Sequence, residues 1–161
     1  MMNRQMLRAK QALSEAECRE VMERNTAGVL SLVGDEGYPY GVPLSYVYEN
    51  GKIYFHSAKR GYKVECIERN PKVSFTVIDT DDIVAEEYTT YFRSVIAVGT
   101  VRLTEGEERF KGFMALTNKY SGIMPEEDKL KTVEGCKGAH LYVVDVQFLT
   151  GKQAIELVKQ K

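Results

Sequence analysis

The chain is 161 residues long, 43% hydrophobic and 28% charged, with 22 basic against 23 acidic residues and a net charge of −1. That length fits one domain with a real hydrophobic core, and the composition excludes an intrinsically disordered chain. The even charge balance points away from nucleic acid and from anionic membrane surfaces as partners.

The first thirteen residues carry charge but no apolar stretch of signal-peptide type. The longest apolar runs, near Val95–Val98 and Leu141–Val144, are far too short to span a bilayer, so a cytoplasmic protein is expected. Cys18, Cys66 and Cys136 are odd in number, widely spaced and without a CxxC pair. Reduced thiols are expected rather than a disulfide framework or a zinc site. His56 and His140 are the only histidines, and no HExxH-like spacing joins them to carboxylates, so no metal site is expected.

In chain order, Ser14-Glu15-Ala16-Glu17 reads as a capping box that opens a helix over Ser14–Asn25, with Ala16, Val21 and Met22 on its apolar side. A strand Gly28–Val33 runs into the turn Gly34-Asp35-Glu36-Gly37. Tyr38–Tyr48 reads as one further strand, irregular at Pro39 and Pro43, because proline cannot donate to a ladder and demands an edge or a bulge. Asn50-Gly51 favours the positive φ angles of a type I′ turn, which makes a hairpin with Lys52–Ser57.

Lys59–Asn70 reads as a short helix stopped by Asn70-Pro71. Val73–Ile78 is the next strand, the acidic stretch Asp79–Glu87 reads as a loop, and Tyr88–Leu103 is a strand long enough to bend around a barrel. Thr104-Glu105-Gly106-Glu107 resembles a second capping box, before a helix carrying Phe110, Phe113, Met114 and Thr117. Ser121–Lys137 reads as irregular or partly helical, Ala139–Phe148 as a last strand, and Thr150–Lys161 as a tail or short helix. The strands do not alternate with helices, which excludes a doubly wound parallel sheet and favours a mainly antiparallel barrel with helical trimmings.

Chemistry concentrates in His56-Ser57-Ala58-Lys59-Arg60-Gly61-Tyr62-Lys63, between a strand end and a helix start. A helix N-terminus offers unpaired N–H groups and a positive dipole end, so Ser57, Gly61 and Lys63 could cradle a phosphate. The same residues suit a solvated basic turn before a surface helix, and these two readings stand level on physical grounds. Neither a G-x-x-x-x-G-K-[ST] nor a G-x-G-x-x-G loop is present. Gly41-Val42-Pro43-Leu44-Ser45-Tyr46 could use backbone groups freed beside Pro43 to read the polar edge of a ring system, or could form an irregular barrel corner.

The ordered series Gly37-Tyr38-Pro39-Tyr40, Val42-Pro43-Leu44, Asn50–Ala58, Gly61-x-Lys63, Arg69-Asn70-Pro71-x-Val73 and Tyr91-x-Arg93-Ser94-Val95-Ile96-x-x-Gly99 resembles the pyridoxamine 5′-phosphate oxidase-like split-barrel flavoproteins. Within them it is similar to the nitroimidazole-resistance branch. The resemblance covers roughly Thr26–Gly151, with the helix of residues 14–25 ahead of it, in one domain that spans the chain.

The resemblance implies a six-stranded antiparallel split β-barrel with short flanking helices, a homodimer, and FMN at the dimer interface, FAD being the other option. It implies that Val42, Pro43, Leu44 and Ser45 lie along the isoalloxazine ring, and that His56, Ser57 and Ala58 pass the ribityl and ring region. Lys63 would bind the phosphate with Arg60, Gly61 or Ser57, and Arg93, Ser94 and Val95 would reach the flavin from the neighbouring strand. The C-terminal Arg/His segment of true pyridoxamine phosphate oxidases is missing, the chain ending instead in Gln153–Lys161, which argues against vitamin B6 oxidation.

The implied activity is a flavin-dependent oxidoreductase acting on a small electron-poor, nitroaromatic-like molecule. His56 would then be the proton donor or a cofactor-positioning residue. A non-catalytic flavin carrier or sensor is the alternative, since no NAD(P)H-binding motif is present. A haem- or deazaflavin-binding split barrel is a third option, and Lys59, Arg60 and Lys63 favour a phosphorylated cofactor over haem.

Overall fold

The computed structural model describes residues 4–158. The capping box forms as read: Ser14 Oγ accepts from Glu17 N–H, Glu17 accepts from Ser14 N–H, and helix α1 runs Glu15–Arg24. Strand β1 (Ala27–Val33) is followed by a short turn at Asp35–Gly37 and by β2 (Pro39–Ser45). Strands β3 (Val47–Glu49) and β4 (Lys52–Ala58) are joined by Asn50 and Gly51 at φ 51° and 75°, the left-handed pair that the Asn-Gly dipeptide predicts. Helix α2 (Tyr62–Arg69), β5 (Lys72–Val84), β6 (Thr89–Leu103), α3 (Gly106–Ser121), α4 (Glu126–Gly135), β7 (Ala139–Gln153) and the short α5 (Ile155–Val158) complete the described chain.

The sheet differs from the six-stranded barrel that the sequence suggests. It has seven antiparallel strands in the order β2-β1-β5-β6-β7-β4-β3, and its hydrogen-bonded ladder is not closed. The seventh strand arises because the run Tyr38–Tyr48 breaks at Tyr46, placing β2 and β3 at opposite edges. Tyr46 is fully buried; its N–H donates to Thr26 O at 3.3 Å and its hydroxyl to Met22 O at 2.6 Å. Its ring meets Phe75 edge-on at 4.9 Å, so this residue leaves the ladder to plug the core.

The sheet nevertheless curls on itself. One core cluster joins Leu30 and Phe75 of the β1–β5 side to Tyr48, Ile53 and Phe55 of the β3–β4 side, with α1 closing it through Cys18, Val21 and Met22. A second cluster lies under α3 and α4, where Phe113, Leu116 and Val133 pack on Val47 and Leu141. All three cysteines are free thiols, and burial pushes Cys18 up to about 11.

Four element boundaries also move. The acidic stretch Asp79–Glu87 is no loop as far as Val84: β5 continues through it, and only Ala85–Glu87 turns before β6. Acidity marked solvent there, but a two-stranded ribbon lets Asp81 and Asp82 reach water without leaving the ladder. Thr104 does not cap α3; its hydroxyl donates to Leu141 O, and Glu105 holds the cap position without a side-chain bond. Helix α2 starts at Tyr62 rather than near Lys59, because Gly61 at φ 130° interrupts the backbone. Strand β7 runs on to Gln153, paired with Arg93.

Asp79 fastens α1 to the β5–β6 ribbon. It accepts from Arg24 Nε and Nη2 at 2.7 and 2.6 Å, from Asn25 Nδ2 at 2.8 Å and from Arg93 Nη1 at 3.3 Å, with its own side chain 7% exposed. These bonds, Arg24's foremost, hold its carboxyl well below the usual carboxylate range despite burial. Because the native carboxyl titrates below its unfolded value of about 3.9, the stabilisation is present above that pH and lost as pH falls toward the native value. We predict that Asp79→Ala lowers the unfolding free energy by about 2 kcal/mol at pH 7, the cost of stranding charge-assisted bonds. Denaturant titration at pH 7 and pH 3 checks this, and the gap between variant and parent should narrow at the lower pH.

Candidate functional site

Even-numbered residues of β2 turn their backbone toward β1, as the continuation of that row, Tyr46 N–H to Thr26 O, shows. Pro39, Gly41, Pro43 and Ser45 therefore face the outer edge, where two of the four have no N–H to offer. No strand pairs with that edge among the described residues. The β4–α2 corner lies beside it instead. Ser45 and His56 line one cavity, and the rings of Tyr40 and Tyr62 stand 4.7 Å apart. The split in the sheet thus runs between residues 40–45 and 56–62, bringing together the two stretches that the sequence singles out.

Within this split, Pro43, Ser45, His56, Ala58, Arg60 and Gly61 are exposed, whereas Val42 and Leu44 turn inward against the main core. Ser57 faces inward as well, 5% exposed, with its hydroxyl donating to Ala58 O at 3.0 Å. Its side chain therefore contributes less to an anion cradle than the sequence suggests. Lys63 is half-buried in the first turn of α2, and burial lowers its ammonium below the ordinary lysine value. No carboxylate among the described residues pairs with it. Gly61 precedes that turn with no side-chain cap, leaving the first N–H groups of α2 without side-chain acceptors. A desolvated cation beside uncapped amides has the donor chemistry of a phosphate site.

Arg93, Ser94 and Val95 are not brought to this split. Pro43, Val29, Thr76 and Ile96 form one row across β2, β1, β5 and β6. The Arg93–Ile96 segment therefore lies three strand spacings, about 14 Å, from the β2 edge. Arg93 is already bonded to Asp79 and Gln153, Ser94 is half-buried, and the side chain of Val95 is fully buried in the main core. Within one chain these three residues and Lys63 belong to different places.

Sequence reasoning missed the wall that α3 and α4 build over His56. A cavity of about 330 Å³ is bounded there by Phe113, Leu116, Thr117 and Tyr120 of α3, and by Thr132 of α4 with Cys136 just after it. The spacing of Phe113, Leu116, Thr117 and Tyr120 does put them on one helical face, but periodicity alone does not say what that face covers.

The family model for pyridoxamine 5′-phosphate oxidase matches residues 14–153, and the chain belongs to that family. No curated protein matches it. Its fold is shared with a candidate 5-nitroimidazole antibiotic resistance protein of Bacteroides thetaiotaomicron, at 23% identity and a TM-score of 0.73, over 89% of this chain and 87% of that one. A conserved hypothetical protein of Mycobacterium tuberculosis aligns at 21% identity and a TM-score of 0.79, over 94% and 92% of the two chains. A FAD-binding protein of Mesorhizobium loti aligns at 23% identity and a TM-score of 0.66, over 89% and 97%.

The unpaired state of Lys63 has a measurable consequence. Lys63→Met removes a desolvated charge and no ion pair, so we predict that it leaves thermal stability unchanged within about 0.5 kcal/mol, or raises it. Gly61→Ala meets no atom but must hold φ 130°, and is predicted to cost at least about 1 kcal/mol. Parallel thermal melts of the two variants check both signs.

Proposed function

We propose that this protein binds a flavin, FMN or FAD, in the split between β2 and the β4–α2 corner, and that it is an oxidoreductase acting on a small electron-poor ring such as a nitroaromatic. The observation that carries the reading is the half-buried, unpaired Lys63 at the uncapped start of α2, which follows the β4 end that carries the exposed His56. The family and the FAD-binding relative of the same fold support it.

The flavin, when bound, supplies the electron transfer. Lys63, Arg60 and the first amides of α2 hold its phosphate, and Gly61 keeps side chains away from that anion. Pro43 and Ser45 present the outer edge of β2 to the ring. His56, with no hydrogen-bond partner in the protein among the described residues, orients the acceptor and donates a proton to the reduced product.

A homodimer fits the same reading. The outer face of the β1–β5–β6 sheet exposes Val33, Ile78 and Ile96 at 41%, 65% and 42%, an apolar surface suited to a second copy. A second copy would also bridge the distance between Lys63 and the Arg93–Val95 segment. A flavin carrier or sensor without turnover is the second reading. It is favoured by the cavity lining, in which His56 and Cys136 are the only titratable side chains apart from Tyr120 among the described residues.

The purified protein is expected to show a flavin absorbance spectrum after reconstitution and to elute as a dimer. Lys63→Ala should weaken FMN at least tenfold while riboflavin, which lacks the phosphate, is unaffected. After anaerobic reduction, a nitroaromatic should reoxidise the flavin, and His56→Phe should slow that step by roughly 10²-fold. A protein that takes up no flavin sinks the reading, and a flavin that the nitroaromatic fails to reoxidise selects the carrier.

A further inference from the structure

The cavity beneath α3 and α4 has an unusual inventory of hydrogen-bonding groups. Thr117 Oγ1 donates to Phe113 O at 2.8 Å and Thr132 Oγ1 to Asp128 O at 2.8 Å. Tyr120 Oη donates to Tyr46 O at 2.6 Å and accepts from Tyr46 N–H at 3.0 Å and from Ser45. Cys136 Sγ reaches Thr132 O at 3.2 Å. Every one of these protons is committed to the protein itself, so around the cavity these groups offer lone pairs and apolar surface but no donor.

His56 and Ser121 are the exceptions: both line the same cavity, neither side chain has a hydrogen-bond partner among the described residues, and of the two His56 is the exposed one. No Lys, Arg, Asp or Glu lines the cavity among the described residues, so nothing there compensates a charged ligand. Phe113 and Leu116 supply the apolar floor. A cavity of about 150 Å³ is enough for benzene, so about 330 Å³ holds one substituted ring.

We propose that this cavity is the substrate subsite, and that it takes neutral, unphosphorylated single-ring compounds that present one hydrogen-bond acceptor to His56. This deepens the oxidoreductase reading and rests on it only for the role of His56. The α3–α4 pair, rather than the flavin groove, then sets which molecules are accepted. A carboxylate or phosphate on the ring is rejected because its charge would be desolvated without a partner. The ring lies against Phe113 and Leu116, with its acceptor atom toward the imidazole.

The test is binding to the flavin-reconstituted full chain at pH 8, followed by backbone amide chemical shifts. The probes are 4-nitrobenzyl alcohol, 4-nitrobenzoate and pyridoxal 5′-phosphate. The neutral alcohol should bind saturably, perturb amides in residues 113–121 and 132–136, and bind at least tenfold more tightly than either anion. Thr132→Trp, at an exposed position on the rim, should weaken the alcohol at least tenfold with flavin content unchanged. His56→Phe should weaken it severalfold, and His56→Gln, which keeps a donor, should restore part of the loss.

Equal binding of the anions, insensitivity to Thr132→Trp, shifts confined to other residues, or mutual displacement of the alcohol and the flavin would each overturn the proposal. The same titration on flavin-free protein separates the two ideas. Binding of the alcohol there, in a protein that never takes up flavin, keeps the subsite and removes the flavin reading. A flavin-loaded protein blind to the alcohol does the reverse.

Discussion

The arrangement of the site depends on one edge that cannot be paired. Pro39 and Pro43 sit on the side of β2 that faces away from β1, and a strand missing alternate donors on its free edge is a poor template for another strand. The ladder of seven strands consequently stops there rather than closing. What comes alongside is a corner, the end of β4 and the start of α2, held by the contact of Tyr62 with Tyr40 and by the Tyr62 hydroxyl accepting from Asp35 N–H at 2.6 Å. A groove walled by backbone on one side and by a helix N-terminus on the other follows from that single chemical deficit.

Tyr46 makes the same break permanent from the inside. Its burial and its bond to Met22 O force the chain out of β2 just before β3 begins on the opposite edge of the sheet. Helix α1 is then required in place, because it provides Met22, and Asp79 holds α1 by gathering Arg24, Asn25 and Arg93 around one carboxylate. The network explains why Arg93 is structural within one chain. Its guanidinium is a ligand of Asp79 before it is available to anything outside.

Charged and uncharged surroundings are segregated in this region. Cations and uncapped amides gather at the α2 end, whereas the cavity beside His56 is lined without a charged side chain among the described residues. Lys119 illustrates how far this extends. It lies next to Tyr120 on α3, yet its ammonium donates to Tyr46 O at 3.1 Å, also bonds Asn25 O, and sits 4.4 Å from the centre of the Tyr46 ring, so its protons are taken up by the protein itself. Burial lowers its pKa as it does that of Lys63, but of these two ammonium groups Lys63 is the one left without an acceptor among the described residues.

Local chemistry determined much of this protein from the sequence alone. The Ser14 capping box, the Asn50-Gly51 turn and the prolines of β2 act through their own backbone and nearest neighbours, so their readings need no partner segment. The ordered motifs around 37–63 and 91–99 carried the family in the same way. Tertiary structure alone decided what depends on distant residues. It split Tyr38–Tyr48 at Tyr46, drew Asp79 out of an expected loop into a buried network, turned Ser57 inward, and placed Arg93–Val95 three strands from the groove. The α3–α4 wall over His56 belongs to this second group, because an apolar helical face reports that it is covered but not by what. The physical reason is common to all of them: burial and hydrogen-bond satisfaction are properties of a site, and the groups that complete each site come from segments far apart in the chain.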